Sequence, residues 1–511
     1  MPAGTLRART GVLGDIVSSQ PVFVGAPNTS LYLGAGFTGA STYQAFAAAK
    51  AARTPMIYVG ANDGMLHGFN ATTGAEVFAY VPKAAITSDL ASYALPGYVH
   101  RYSVDGENTI ANVYIGGAWK TILVGTMGRG HPGVFALDVT DPANPSLLWD
   151  KTDADIPTLG NNLGKPIIAQ VADGDWRVIF GNGPNSASGD GQLVMVKLSN
   201  GTATSVNVGG GPKNGLTAAT IWNSDSDDFF DRAYAGDLLG NVWRIDGLAT
   251  GSPTKIKLFA ATDGTKAQPI TAAPLVAIRP TSTETWVFFG TGRYLGTADV
   301  SNKDIQTWYG IKDAGTTIPG RAQLVQRNIT AEAAQVSGGP VGRAIDPGTL
   351  SDVAGKSGWY IDLKSPVNGA QGERMVVPNI FQGLALVGVT RIPDSANPCS
   401  PGGTGFVMAI DPFTGGSLDS SYFDTNGDGK VDGSDSVGSS VVSGIGLATG
   451  GNGVIAVGDR IYGTLDNGAQ FTPPPPPSSK TTGRVNWHEV IEARHAAFGS
   501  SIVATHRETE T

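Results

Sequence analysis

The sequence predicts an all-β chain, a modified β-propeller of about seven blades with inserted loops. Three observations predict it. Of 511 residues, 71 are Gly and 31 are Pro, and Gly at nearly twice its usual ~7% share implies many tight turns and hence many short strands. Hydrophobic residues make up 41%, enough for a large buried core. A strand–turn–strand unit, ending in an aromatic or aliphatic residue before Asp or Asn, recurs along most of the chain. Such units cannot bury both faces alone, and radial closure of four-stranded blades removes the edges they would expose. A pair of β-sandwiches would show no blade-like repeat.

The first clear copy runs from Met56 to Pro82, MIYVGANDGMLHGFNATTGAEVFAYVP. Apolar alternation meets turn residues at Asn62-Asp63-Gly64, and a second strand follows at Met65 to Phe69. Thr72-Thr73-Gly74 then turns into a third strand at Glu76 to Tyr80. Asp-Gly between two apolar runs is a strong hairpin signal. Further copies are Trp119 to Asp150, Trp176 to Val208, Ala233 to Gly251, Trp286 to Asp313 and Leu384 to Gly416, with a half-copy at Val454 to Asp466. An early strand, Ile16 to Val24, is expected to close the ring beside the last blade.

Two insertions interrupt the pattern. Gly320 to Gly358 carries a short helical patch around Ala331 to Gln335 and then a Gly/Pro-rich loop, and Ser417 to Gly451 carries an acidic loop. Five prolines, Pro473 to Pro477, make a stiff extended spacer. Beyond them Trp487, Val490 and Ile491 fit either a short amphipathic helix or a strand. The chain is therefore read as a lead-in at 1–13, a propeller at 14–466, and a spacer with a tail at 467–511.

Composition narrows the function. The formal net charge is −8, charged residues are 15%, and no basic stripe exists, which excludes nucleic acid as a primary partner. No apolar run is long enough for a transmembrane helix. The single Cys399 precludes an internal disulfide framework. The first residues, MPAGTLRARTGVLGD, lack the apolar core of a signal peptide, and the chain reads as a piece of a longer polypeptide.

Two loops have the spacing of hard-cation ligands. In Asp424 to Asp435, DTNGDGKVDGSD, side-chain oxygens stand at positions 1, 3, 5, 9 and 12: Asp424, Asn426, Asp428, Asp432 and Asp435. The Lys430 carbonyl would supply position 7, and Gly429 stands at position 6, where the sharp turn needs a positive φ. Val431 at position 8 would anchor the loop in apolar surroundings. Four carboxylates this close repel one another unless a cation sits between them. The second loop is less complete: Asn223, Asp225, Asp227 and Asp231 take positions 1, 3, 5 and 9, with the Phe229 carbonyl at 7. It has Asn at position 1 and Asp228 in place of Gly at position 6, where Asp tolerates the left-handed conformation at some cost. The cofactor both imply is Ca2+. Catalysis has no comparable support. The six His residues form no local ligand spacing, and neither a nucleophile elbow nor a Walker-type phosphate loop is present, so the chain is not read as an enzyme.

With these residues assembled, the chain resembles the C-terminal β-propeller of PilY-type proteins, the type IV pilus biogenesis factors and tip-associated adhesins. The segments that carry the resemblance include RARTGVLGDIVSSQPVFVG, YVGANDGMLHGFNATTGAEVFAYVP, RAYAGDLLGNVWRID, VFFGTGRYL and FDTNGDGKVDGSD, from Arg7 to about Trp487. The resemblance implies export to the cell surface, fimbrium tip or outer membrane, with pilins or minor pilins as partners and host or abiotic surfaces as further ones. It also implies calcium control of pilus extension against retraction, and so of twitching motility and surface attachment. The family's regulatory loop precedes its "YAGDL.GN.W" strand pair, which places that role on Asn223, Asp225, Asp227, the Phe229 carbonyl and Asp231. Two other readings stay open: a quinoprotein-like (PQQ-type) dehydrogenase, whose blades share the repeat rhythm, and a carbohydrate-binding propeller using exposed Trp and Tyr.

Overall fold

The computed structural model describes residues 6–475 apart from 10, 226, 395–402 and 458–459. Cys399, the last two prolines of the spacer and the tail with Trp487, Val490 and Ile491 lie outside the described residues. The chain is built almost wholly of strands, and no helix among the described residues is long and apolar enough to cross a membrane. Its described residues divide into two compact units, one comprising residues 6–238 with Trp243–Lys255, the other Leu239–Val242 with residues 256–475.

The first four blades are four-stranded antiparallel meanders that follow chain order. The first is Val22–Val24, Met56–Ala61, Met65–Asn70 and Glu76–Tyr80, with the Asn62-Asp63-Gly64 turn where the Asp-Gly signal places it. Val22 faces Tyr58 and Val24 faces Met56. The early strand thus pairs within the first blade, not beside the last one as expected. Residues 25–55 separate it from its partner and fold as an insertion containing the helix Tyr43–Ala49. That helix forms because Tyr43, Phe46 and Ala47 share one face, and Tyr43 packs against Trp119 of the second blade with ring centroids 4.7 Å apart. The second blade runs from Asn108–Ile115 to Ser146–Thr152, the third from Ile167–Gln170 to Ala203–Gly209, and the fourth from Leu216–Trp222 to Thr254–Ala260.

The fifth and sixth blades absorb the insertion at Gly320 to Gly358. Val325–Arg327 joins the fifth blade parallel to Gly358–Asp362. The hairpin Ile329–Ala334 with Val341–Ile345 joins the sixth, where Gly342 and Arg343 pair with Ile445 and Gly444. The helical patch expected at Ala331 to Gln335 is therefore a strand. Ala and Glu favour a helix, but five residues do not nucleate one, and cross-strand pairing with Val341–Ile345 decides. The last sheet, Gly451–Val457 with Arg460–Leu465 and Gln470–Phe471, has three strands, the third only two residues long. The propeller accordingly has six blades rather than seven, because the final half-copy does not complete one.

Each of the six blades ends its second strand with a buried polar residue one or two positions after a glycine: Asn62, Thr126, Asn182, Asp237, Thr291 and Thr390. Most of these side chains bond neighbouring backbone, while Asp237 accepts from Trp243 Nε1 (2.9 Å) and Asn214 Nδ2 (3.3 Å). Asn182 accepts from the N–H groups of Gln192 (2.9 Å) and Leu216 (3.1 Å) and donates to the carbonyls of Thr158 (3.0 Å) and Asp190 (2.9 Å). A side chain at the preceding Gly181 would strike the Thr217 carbonyl, so the position must be glycine.

Candidate functional site

The loop 424–435 lies in the sixth blade's insertion and is held by its own acidic residues. Asp424 accepts from the N–H groups of Gly427 (2.6 Å) and Gly429 (2.8 Å) through its two oxygens. Asn426 accepts from Asp428 N–H, Asp428 from Lys430 N–H, and Asp432 from Ser434 N–H. Asp435, which is buried, closes the loop by accepting from Thr425 (2.8 Å) and Asp432 (3.0 Å) N–H groups. Gly427 and Gly429 have φ of 79° and 83°, and Val431 is buried. The Ser434 hydroxyl and N–H hold the Asp432 carboxyl below its ordinary range. Both Asp424 oxygens and Asp428 Oδ1 keep a lone pair beyond the one N–H each accepts, whereas Asp432 Oδ1 and Asp435 Oδ1 each accept two hydrogen bonds, so a cation here would draw chiefly on Asp424, Asp428 and the remaining oxygens of the others.

A residue that the sequence does not single out fastens this loop to the inserted hairpin. Gln335 Nε2 donates to the Ser434 carbonyl (2.6 Å), while its Oε1 accepts from the Thr425 hydroxyl (2.6 Å) and the Ser436 N–H (3.1 Å). It stands at the end of strand Ile329–Ala334, about ninety residues from the loop it clasps. No local pattern signals a contact at that separation.

The loop 223–231 has a different conformation. Asn223 is buried and donates through Nδ2 to the Asp227 carbonyl. Asp231 accepts from both the N–H (2.8 Å) and the hydroxyl of Ser224, and Asp227 accepts from Phe229 N–H at 2.7 Å. Burial, then the neighbouring Asp225 and Asp231 carboxylates, push Asp227 above its ordinary carboxylate range, which is the like-charge crowding a cation would relieve. Asp228 does not take the left-handed conformation allowed for at position 6, since the described non-glycine residues with positive φ are Tyr32, Asn185, Lys213 and Thr281. Its carboxylate instead accepts from the Gly36 N–H in the 25–55 insertion. The sharp turn of a cation loop at position 6 is therefore not formed at Asp228. Phe229 packs against the aromatic cluster of the same insertion, and the buried Phe230 enters the core shared by the third and fourth blades.

Among the described residues, no three His, Cys, Asp or Glu side chains converge as a metal site on their own. An ion in either loop therefore needs the Asn426 or Asn223 amide and the Lys430 or Phe229 carbonyl as well. Of the histidines, His67 is buried between Asp63 (3.1 Å) and Glu76 (2.7 Å), while His100 and His131 lie near Asp15 (2.8 Å) and Asp89 (3.6 Å). His488, His495 and His506 fall outside the described residues.

Residues 13–335 match the family model described as the PilY1 beta-propeller domain. A type IV pilus biogenesis factor PilY1 homolog from Xylella fastidiosa is 49% identical over 492 residues, covering 96% of this chain and 40% of that protein. The type IV pilus biogenesis factor PilY1 of Pseudomonas aeruginosa strain PAO1 is 36% identical over 476 residues, covering 83% of this chain and 40% of its own length. The chain thus spans about 40% of the curated relatives it matches. The crystal structure of the Pseudomonas aeruginosa PilY1 C-terminal domain superimposes with a TM-score of 0.70 at 31% identity, covering 85% of this chain and 96% of that one.

Proposed function

The chain belongs to the PilY1 β-propeller family, and from that premise we propose that it is the calcium-binding propeller of a type IV pilus biogenesis and tip-adhesin protein. In this reading it is exported, sits at the cell surface or fimbrium tip, and works with pilins or minor pilins. Calcium on its loops sets pilus extension against retraction, and through that twitching motility and attachment to host or abiotic surfaces.

The observation that carries the calcium reading is the loop 424–435. Two of its glycines are in the left-handed region and its Asp424 carboxylate is fixed by two backbone N–H groups, so the turn and the first ligand are in place before an ion arrives. Asp424, Asn426, Asp428, the Lys430 carbonyl, Asp432 and Asp435 would hold the ion. Loop 223–231 fits less closely, because position 1 is Asn, which brings no charge, and Asp228 at position 6 does not take the left-handed turn. We assign tight binding to the first loop and the regulatory, weaker site to Asn223, Asp225, Asp227, the Phe229 carbonyl and Asp231. The bound ion supplies positive charge that cancels carboxylate repulsion and locks each loop. Titrating calcium into metal-free protein should give binding heat and a raised melting temperature. Neither heat nor a thermal shift at millimolar calcium would sink the reading.

A further inference from the structure

Exposed apolar side chains are not spread evenly over this protein. Eight of the 22 exposed large apolar residues among those described lie in two short segments, residues 6–17 and 86–99. The extremes are Val12, Ile86 and Val99, at 92%, 69% and 67% exposure. The two segments are neighbours. Arg7 N–H donates to the Ala94 carbonyl (2.8 Å), and Asp15 accepts from His100 Nε2 (2.8 Å). Gly14 N–H and Asn62 N–H tie the first segment to the inner turn of the first blade. These bonds bring two segments rich in exposed apolar side chains together, and such exposed apolar clusters mark interaction sites.

Its charges select the partner. The Arg7 guanidinium lies 4.5 Å from the Tyr98 ring and 5.0 Å from the Tyr93 ring, and Arg9 lies 4.8 Å from Tyr93. Arg9 donates to the Val12 (2.8 Å) and Leu13 (3.3 Å) carbonyls, neither arginine has a carboxylate partner among the described residues, and Arg7 Nε is buried without an acceptor. Arg101 is 3.9 Å from Asp89, at the rim of a cleft of about 260 Å³, counting its open mouth, that Tyr93, Tyr98, Tyr102 and His131 also line. In a chain of net charge −8, this face presents arginines and tyrosines and no lysine, and its own carboxylates are engaged, Asp15 with His100 and Asp89 with Arg101 and His131. That is the composition of a protein-recognition hot spot. Guanidiniums that face no carboxylate of their own chain form their strongest hydrogen bonds with a partner's carboxylates.

We propose that residues 6–9, 11–17 and 86–101 form a docking face for a protein segment that carries carboxylates among apolar side chains. Its carboxylates meet Arg7 and Arg9 while its apolar residues cover Val12, Leu95 and Val99. The face stands whether or not either acidic loop holds calcium.

The test uses the full chain. Random dodecapeptides displayed on phage are panned on it, and the enriched sequence is made as a labelled peptide for anisotropy. The expected result is enrichment of acidic–apolar sequences whose affinity falls at least tenfold on Arg7→Gln with Arg9→Gln, and again on Val99→Asp. A peptide with every Glu and Asp replaced by Lys should not bind. Val99 is exposed, so its substitution leaves folding intact, and unchanged melting temperatures check this for both variants. Three results would overturn the proposal: no enrichment over bare plastic, peptides indifferent to both variants, or phosphatidylglycerol vesicles that sediment wild type but neither variant. The last would assign the face to a lipid surface.

Discussion

Arg343 offers the sharpest energetic test of how the sixth blade is held together. The inserted hairpin that carries it pairs with the blade through only two residues, Gly342 and Arg343. Side-chain contacts must supply the rest. Arg343 is fully buried and donates to Glu373 (2.7 and 2.9 Å) and to Glu332 (2.7 and 3.0 Å), with its guanidinium carbon 3.5 Å from the Phe406 ring centroid. One cation thus serves two buried carboxylates, and the Ser365 hydroxyl serves the far oxygen of Glu332 at 2.6 Å. Arg343→Met keeps an aliphatic stem but strands both carboxylates. Removing one partner of a buried pair costs about 3–5 kcal/mol. At roughly 2–4 °C per kcal/mol for a unit of this size, calorimetry should show the containing unit melting about 6–20 °C lower. The triple change Arg343→Met, Glu332→Gln, Glu373→Gln should recover most of that loss, because no charge is left uncompensated. A single variant within about 1 kcal/mol of wild type would refute the reasoning, since it would mean that the triad is solvated or slack.

Three further outcomes follow from the same structure. His67 has its pKa raised, chiefly by its hydrogen bond to Asp63 and also by Glu76; its stabilisation is full below the unfolded value of about 6.5 and is lost as pH rises through the folded pKa. Melting temperature should therefore fall between pH 6 and 8 more in wild type than in His67→Asn, and equal slopes would contradict the assignment. Gly429→Val meets no neighbour but puts a β-branched residue at φ 83°, at about 1–2 kcal/mol; calorimetry should show calcium affinity down by roughly 5–30-fold, and unchanged affinity would remove this loop from the site. Asn182→Ala orphans two N–H groups and two carbonyls and should cost at least about 2 kcal/mol in urea unfolding, whereas a neutral result would mean that water replaces the amide.

What was legible in the sequence was what local chemistry decides. The Asn62-Asp63-Gly64 hairpin and the Arg232–Asp237 and Asn241–Asp246 pair follow from period-two alternation and turn residues a few positions apart. Pairings closed over long loops were not legible. Val22–Val24 reaches Met56–Ala61 across thirty-odd residues, and nothing in either strand names its partner. Ala331 to Gln335 reads as helix by propensity, yet Glu332 is drawn into a strand by the buried Arg343. Blade number was misjudged because local signals count repeats, not the strands that each sheet finally gathers. In the acidic loops, the spacing of oxygen-bearing residues and the positive φ of Gly429 could be read from the residues, but the Asp228 contact to Gly36 and the Gln335 clasp exist only in three dimensions.

The central claim is that calcium on these loops governs the pilus. Asp225→Ala and Asp428→Ala, made separately in the full-length protein, should each be scored for bound calcium and for surface pili. The account predicts that Asp428→Ala removes the tighter-bound ion and that Asp225→Ala changes pilus number with the tighter ion still in place. If neither substitution alters bound calcium or surface pili, both loop assignments are wrong.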